Sequence, residues 1–169
     1  AALMAELDSI PPPLRGFAYE GAAMGLGISD ALPWTRSDGL RAFLEEVGAP
    51  HSYLLHVGAG WAMARLPWRR RRIFQTLDPL LSCLAIDGWG FHDVYFRPAR
   101  LGKGSTRRDP DHRHVYDQGA GRALWFVSGG DMDRALELIS GQHDSRQADL
   151  LSGLALAVVY TGICSTEDI

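Results

Sequence analysis

The chain has little of the chemistry that usually announces a function. Among its 169 residues are only two cysteines, Cys83 and Cys164, and they form no C-x-x-C pair. Their apolar neighbours predict two reduced thiols in the core. Long hydrophobic runs are missing too: the longest, Leu150 to Ile163, has 14 residues, against the roughly 20 a membrane-spanning helix needs. No basic region precedes an apolar run at the N-terminus, so no signal peptide is read and a cytoplasmic location is expected. Positive charge is not in excess. The net charge is −3, which argues against a general nucleic-acid binder. There is no G-x-S-x-G elbow for a nucleophilic serine, and Cys83 has no flanking charge to activate it. Gly58-x-Gly60 and Gly119-x-Gly121 lack the third glycine and the preceding strand of a dinucleotide site, so no cofactor is expected.

Disorder is also excluded, because 46% of the residues are hydrophobic and 22% charged, and the length permits one domain, 1–169, with a real core. Glycine is plentiful, at 19 residues, and it recurs inside apolar segments, which favours close backbone packing over a floppy linker. The stretch Gln118-Gly-Ala-Gly-Arg-Ala-Leu-Trp-Phe-Val127 reads as a helix with small residues in its early turns and large ones later. Related figures begin at Gly21, Gly58, Gly88 and Gly153, so successive figures lie 37, 30, 31 and 34 residues apart. Helix-turn-helix repeats have periods of about 34 to 47 residues, so the expected fold is all-α: stacked helical hairpins forming a tetratricopeptide-like α-solenoid.

Periodicity and breakers place the helices. A short lead-in covers 1–7, and Pro11-Pro-Pro13 predicts an extended break. Helices follow over about 14–26 and 40–47, the second capped by Ser37 or Asp38 and ended by Gly48-Ala-Pro50. Others cover 51–66, 70–77 and 80–96. The four arginines Arg69 to Arg72 read as a solvated helix start, their stems lying over Trp68. Residues 101–113 read as a surface loop. Helices over 114–127, 131–139 and 145–160 complete the pattern, with Asp131 as an N-cap. The first and last long helices have no partner, so the chain is expected to be the middle of a longer architecture or to associate with a second copy or a protein partner.

Side-by-side long helices would align Glu20, His56, Asp87, Asp117 with Gln118, Arg122, and Asp149 with Ser152 on one wall. Burying such groups costs several kcal/mol unless they pair, so they either fix the packing or line a cavity. In a cavity the carboxylates and His56 would do acid–base work, with Arg122 orienting an oxyanion. No metal is expected. The weak alternative is Asp109, Asp111, His112 and His114, with His92-Asp93 weaker still. Aromatic residues such as Tyr53, Trp61, Tyr95, Trp125 and Tyr160 are expected mostly in the core, or as the wall of a tunnel for a long flat ligand.

Five phrases carry a resemblance: Arg15-Gly-Phe-Ala-Tyr-Glu-Gly-Ala-Ala-Met24, His56-Val-Gly-Ala-Gly-Trp-Ala-Met-Ala-Arg-Leu-Pro67, Asp87-Gly-Trp-Gly-Phe-His92, Asp117-Gln-Gly-Ala-Gly-Arg-Ala-Leu-Trp-Phe126 and Arg146-Gln-Ala-Asp-Leu-Leu-Ser-Gly153. From about residue 8 to 163 the chain resembles the UnbL family of enediyne antibiotic biosynthesis, whose members extend further at both ends. The resemblance implies an accessory protein or enzyme that binds or converts a linear polyene intermediate. The alternative is a helical-repeat adaptor for a partner protein or peptide. The expected ligand is a polyene or other long-chain small molecule, with neither nucleic acid nor membrane as a partner.

Overall fold

The computed structural model of the chain describes residues 2–32, 34–35, 38–47, 51–103 and 110–162, the side chains at 47, 110 and 111 aside. Among these residues the structure is helical throughout, with nine α-helices and no strand. They are α1 (Ala2–Asp8), α2 (Pro12–Ser29), α3 (Gly39–Val47), α4 (Ser52–Arg65), α5 (Arg70–Thr76), α6 (Cys83–Phe96), α7 (Pro110–Val127), α8 (Met132–Ser140) and α9 (Asp144–Thr161). No described helix is long and apolar enough to cross a membrane. The chain divides into two compact units, Ala1–Gly88 and Trp89–Ile169, and the boundary falls inside α6.

In the first unit the prolines act as a start signal, not a break. Pro12 and Pro13 open α2, where a missing N–H costs nothing and a fixed φ suits the helix. Nor do Gly25 and Gly27 end that helix, which runs on to Ser29. Gly27 lies against the Ala62 methyl of α4, and a side chain on Gly16 would meet Leu54. These contacts advance together along both helices, so α2 and α4 run parallel. At their crossing a Cβ on Gly58 would overlap the Glu20 carbonyl oxygen. Gly88 makes the same kind of approach to Val57. Gly21, the first glycine of the repeated figure, has open space beside it and plays no such part.

Around this crossing Tyr19, Phe43, Leu55, Met63 and Ile73 are buried. The Tyr19 ring stacks on Phe43 at 5.8 Å and on His51 at 4.2 Å between centroids. Its hydroxyl donates to Asp8 Oδ1 at 2.8 Å. Burial first, and then this hydrogen bond to a carboxylate, push the phenol above its ordinary pKa. The start of α3 is capped from a distance: Asp30 accepts from the backbone N–H of Gly39 at 3.0 Å and of Leu40 at 2.8 Å. The Ser37 cap and the Gly48-Ala-Pro50 stop fall outside the described residues. In α5 the arginine stems do not cover Trp68, which is 74% exposed. Arg70 Nε instead donates to the Met63 carbonyl at 2.8 Å, and Arg72 lies 3.6 Å from Asp38. Cys83 is exposed, not in the core, because it opens α6 at the outer end of a turn; Cys164 lies outside the described residues.

In the second unit α7 begins at Pro110, four residues before the expected start. Here too Pro supplies the first helical residue. Asp131 caps α8 by accepting from the Arg134 N–H at 3.0 Å, as its position before an amphipathic run predicts. The long helices α7 and α9 again run parallel. His114 meets Asp149, and one turn on Gln118 meets Ser152. At the crossing the glycines act reciprocally: a Cβ on Gly121 would overlap the Leu150 carbonyl oxygen, and one on Gly153 the Gln118 carbonyl oxygen. Tyr116, Leu124, Trp125, Ile139, Leu150 and Leu154 are buried around this contact.

Candidate functional site

The α7–α9 crossing organises the second unit. Because two glycines let the backbones touch, residues about one repeat apart face each other across the helices. Beside the crossing lies a polar pocket of about 660 Å³, lined among others by Arg113, His114, Asp117, His143, Arg146 and Asp149. Asp117 is 2% exposed, and its charge is met by a forked pair. Arg146 Nε donates to Oδ2 at 2.8 Å and Nη2 to Oδ1 at 2.7 Å. Nη1 of the same guanidinium donates to the Leu101 carbonyl at 2.7 Å and to Gln142 Oε1 at 3.1 Å. The bond to Asp117 raises the Arg146 pKa against the lowering effect of burial. This geometry makes the pair a rigid wall of the pocket.

Nearer the surface, His114 Nδ1 lies 2.7 Å from Asp149 Oδ2. A carboxylate only accepts, so Nδ1 carries a proton, and in the neutral ring Nε2 then presents its lone pair. The His114 side chain is 65% exposed and that of Asp149 28%. His143 Nδ1 accepts from the Ser145 N–H at 3.3 Å, fixing the start of α9.

A second feature of this unit is apolar. Phe91 stacks on Tyr95 at 5.5 Å and meets Phe126 edge-on at 5.6 Å. Phe126 continues to Tyr160 at 6.4 Å, and Tyr95 to Phe96 at 5.0 Å. The run reaches the surface, where Tyr95, Phe96 and Tyr160 are exposed, as are Leu156 and Val159 of α9. The expectation that the aromatic residues are mostly core therefore fails at Tyr95 and Tyr160, and at Tyr53 in the first unit. Tyr53 lies in the first turn of α4 and Tyr95 in the last turn of α6, helices that are buried nearly all round at mid-length, whereas Tyr160 lies on the exposed stripe of α9.

Of the expected wall, Asp117 and Asp149 line the pocket. Arg122 is 8% exposed, with its guanidinium 5.0 Å from the Phe91 ring centre; it is not among the pocket's lining residues and supports the aromatic run. Gln118 Nε2 donates to Ser152 at 3.4 Å. Glu20, His56 and Asp87 belong to the first unit, all buried. Both ring nitrogens of His56 are engaged: Nδ1 donates to the Ser52 carbonyl at 2.7 Å, and Nε2 accepts from the Asp78 N–H at 3.2 Å. That pattern fits a neutral ring holding the segment before α6. The first unit's cleft beside Asp30, Arg41 and Arg69 has a volume of about 30 Å³, little more than one water occupies.

The weak metal alternative is not assembled by what is described. Asp109 and the Asp111 side chain lie outside the described residues, His114 is paired with Asp149, and no group of three metal-ligating side chains occurs among the described residues. His92 and Asp93 are buried, and Asp93 is structural: it accepts from Tyr116 and from Arg100, each at 3.0 Å. Sequence reasoning gave no role to Arg146 and no acid–base role to His114. The signal for both was the repeat period, because His114 with Asp149 and Asp117 with Arg146 are separated by 35 and 29 residues, near the glycine spacing.

The fold and these two features define an all-helical protein with parallel, glycine-contacted long helices, a polar pocket and an aromatic surface. The whole chain, residues 1–169, matches the family described as protein of unknown function (DUF1702), and it belongs to that family. No curated protein and no solved structure matches it.

Proposed function

We propose that this chain is an accessory protein or enzyme of enediyne biosynthesis that binds or converts a linear polyene intermediate. The pathway rests on the resemblance carried by the five sequence phrases. The ligand class is supported by one observation, the run of aromatic rings Phe91, Tyr95, Phe126 and Tyr160 that reaches the surface of the second unit. A flat conjugated chain stacks on such rings and loses little conformational entropy in doing so. Arg122 against Phe91 adds a positive charge beneath the same rings.

The finer architecture belongs to the same reading. In each unit, two long helices run parallel with a shorter helix between them in sequence, in contact through glycine. That arrangement supports tetratricopeptide-like hairpins stacked as an α-solenoid, and it leaves the adaptor role as the competing outcome.

Ligand extraction separates the two. The protein is purified from its native host and its organic extract analysed by absorption spectroscopy and mass spectrometry. A co-purifying species with the banded spectrum of a linear polyene is the expected result. A protein free of such a species in a host that accumulates the polyene, with a second polypeptide bound at Tyr95 and Tyr160, overturns the polyene reading in favour of the adaptor.

A further inference from the structure

We propose that the polar pocket of the second unit is a proton-transfer site, in which His114 is the catalytic base and Asp149 its positioning residue. Three observations converge. The Nδ1 contact to Asp149 at 2.7 Å fixes the ring and leaves Nε2 without a hydrogen-bond partner among the described residues. The pocket of about 660 Å³ holds a molecule of small-metabolite size. Of its two carboxylates, Asp117 is ion-paired with Arg146 and Asp149 accepts the hydrogen bond of His114 Nδ1, whereas Arg113 has no ion-pair partner among the described residues and lines the same space.

An imidazole removes protons only from positions that a neighbouring group acidifies, such as a carbon beside a carbonyl. Arg113 supplies positive charge where the resulting oxyanion develops. The substrate class is therefore an acyl compound with an acidic C–H, and the reaction a redox-neutral shift of a double bond. His114 Nε2 takes the α-proton, the C–H electron pair moves into a dienolate whose oxygen faces Arg113, and Nε2, whose proton exchanges with solvent on a ring that is 65% exposed, delivers a proton to the γ-carbon. No oxidant or co-reactant is needed. Asp149 holds the Nδ1–H throughout and stabilises the imidazolium formed midway. The other titratable groups around the pocket are Asp117, His143 and Arg146, the first and last locked to each other.

The choice of an unsaturated acyl substrate rests on the polyene reading; the base itself does not. The probe is the N-acetylcysteamine thioester of but-3-enoic acid in D2O, followed by proton NMR. The full chain is expected to move its double bond into conjugation with deuterium at the γ-carbon, about 100-fold above buffer, the lower range for general acid–base catalysis. His114→Gln, a change at a side chain that is 65% exposed, returns the rate to background. Asp149→Asn keeps some activity but displaces the pH profile, which loss of a merely structural contact does not do. A wild-type rate equal to buffer, or a His114→Gln rate equal to wild type with unchanged circular dichroism, overturns the proposal. Binding of a conjugated tetraenoic acid to the same His114→Gln protein is measured in parallel. Polyene binding without exchange defeats only the proton-transfer site, and exchange without polyene binding defeats only the aromatic reading.

Discussion

Replacing Gly153 with alanine tests the contact on which the second unit is built. The new methyl would overlap the Gln118 carbonyl oxygen and crowd the Arg122 amide nitrogen at 2.9 Å. Both belong to the α7 backbone, so neither can swing aside as a side-chain tip could. Overpacking costs about 1–3 kcal/mol, and a backbone obstacle puts this case at the upper end. Alanine recovers about 1 kcal/mol of helix propensity over glycine, so the net loss is about 2 kcal/mol. For a chain of this length that lowers the melting temperature by roughly 4–8 °C. Gly21→Ala is the internal control. It sits in α2 with nothing within 4 Å of the added methyl, so only the propensity gain remains and the protein becomes more stable by about 0.5–1 kcal/mol. Both variants are compared by urea unfolding followed at 222 nm, with amide exchange along α7 and α9. Equal stability of the two would refute the reasoning, because it would mean that the α7–α9 contact is not backbone on backbone.

Arg146→Ala leaves Asp117 buried without its forked partner and should destabilise by about 3–5 kcal/mol, read as an early urea transition; Arg146→Lys, which cannot span both carboxylate oxygens, should fall between. The raised Tyr19 phenol favours the protonated, folded state. Its contribution is fully present below the ordinary tyrosine pKa of about 10 and is lost as pH rises through the higher folded value. An alkaline unfolding series should therefore show a falling limb that Tyr19→Phe flattens, at a cost at neutral pH of about 0.5–1.5 kcal/mol for the Asp8 bond. His56→Leu removes the acceptor of the Asp78 N–H and should cost about 1–3 kcal/mol without abolishing proton transfer on the but-3-enoyl thioester, because His56 belongs to the first unit.

The helical class was legible because the cues for it are local. Apolar spacing, Asp131 before an amphipathic run, and small residues at repeat intervals all act within a few turns. The misreadings came from residues whose effect depends on position. Pro12 and Pro13 break a chain in a helix interior yet start one at its first turn. Gly21 and Gly153 look alike in sequence, but only Gly153 faces a neighbouring backbone. The site was half legible. Asp117 and Asp149 were singled out from their place before a glycine, but their partners Arg146 and His114 are set by the register of two parallel helices. That register follows from the repeat period, which locates the helices and also sets which residues meet across them. Aromatic character alone does not tell that Tyr95 falls in the last turn of α6, beyond its buried middle, or that Tyr160 falls on the exposed stripe of α9.

The central claim is that the aromatic surface of the second unit holds a linear conjugated chain. The most direct measurement is a fluorescence titration of a conjugated tetraenoic acid with the protein and with its Tyr160→Ala and Phe126→Ala variants. Saturable enhancement by the parent protein, weakened at least about tenfold by either substitution, equivalent to about 1.4 kcal/mol, is the predicted result. Enhancement that is absent, or unchanged in both variants, would contradict it.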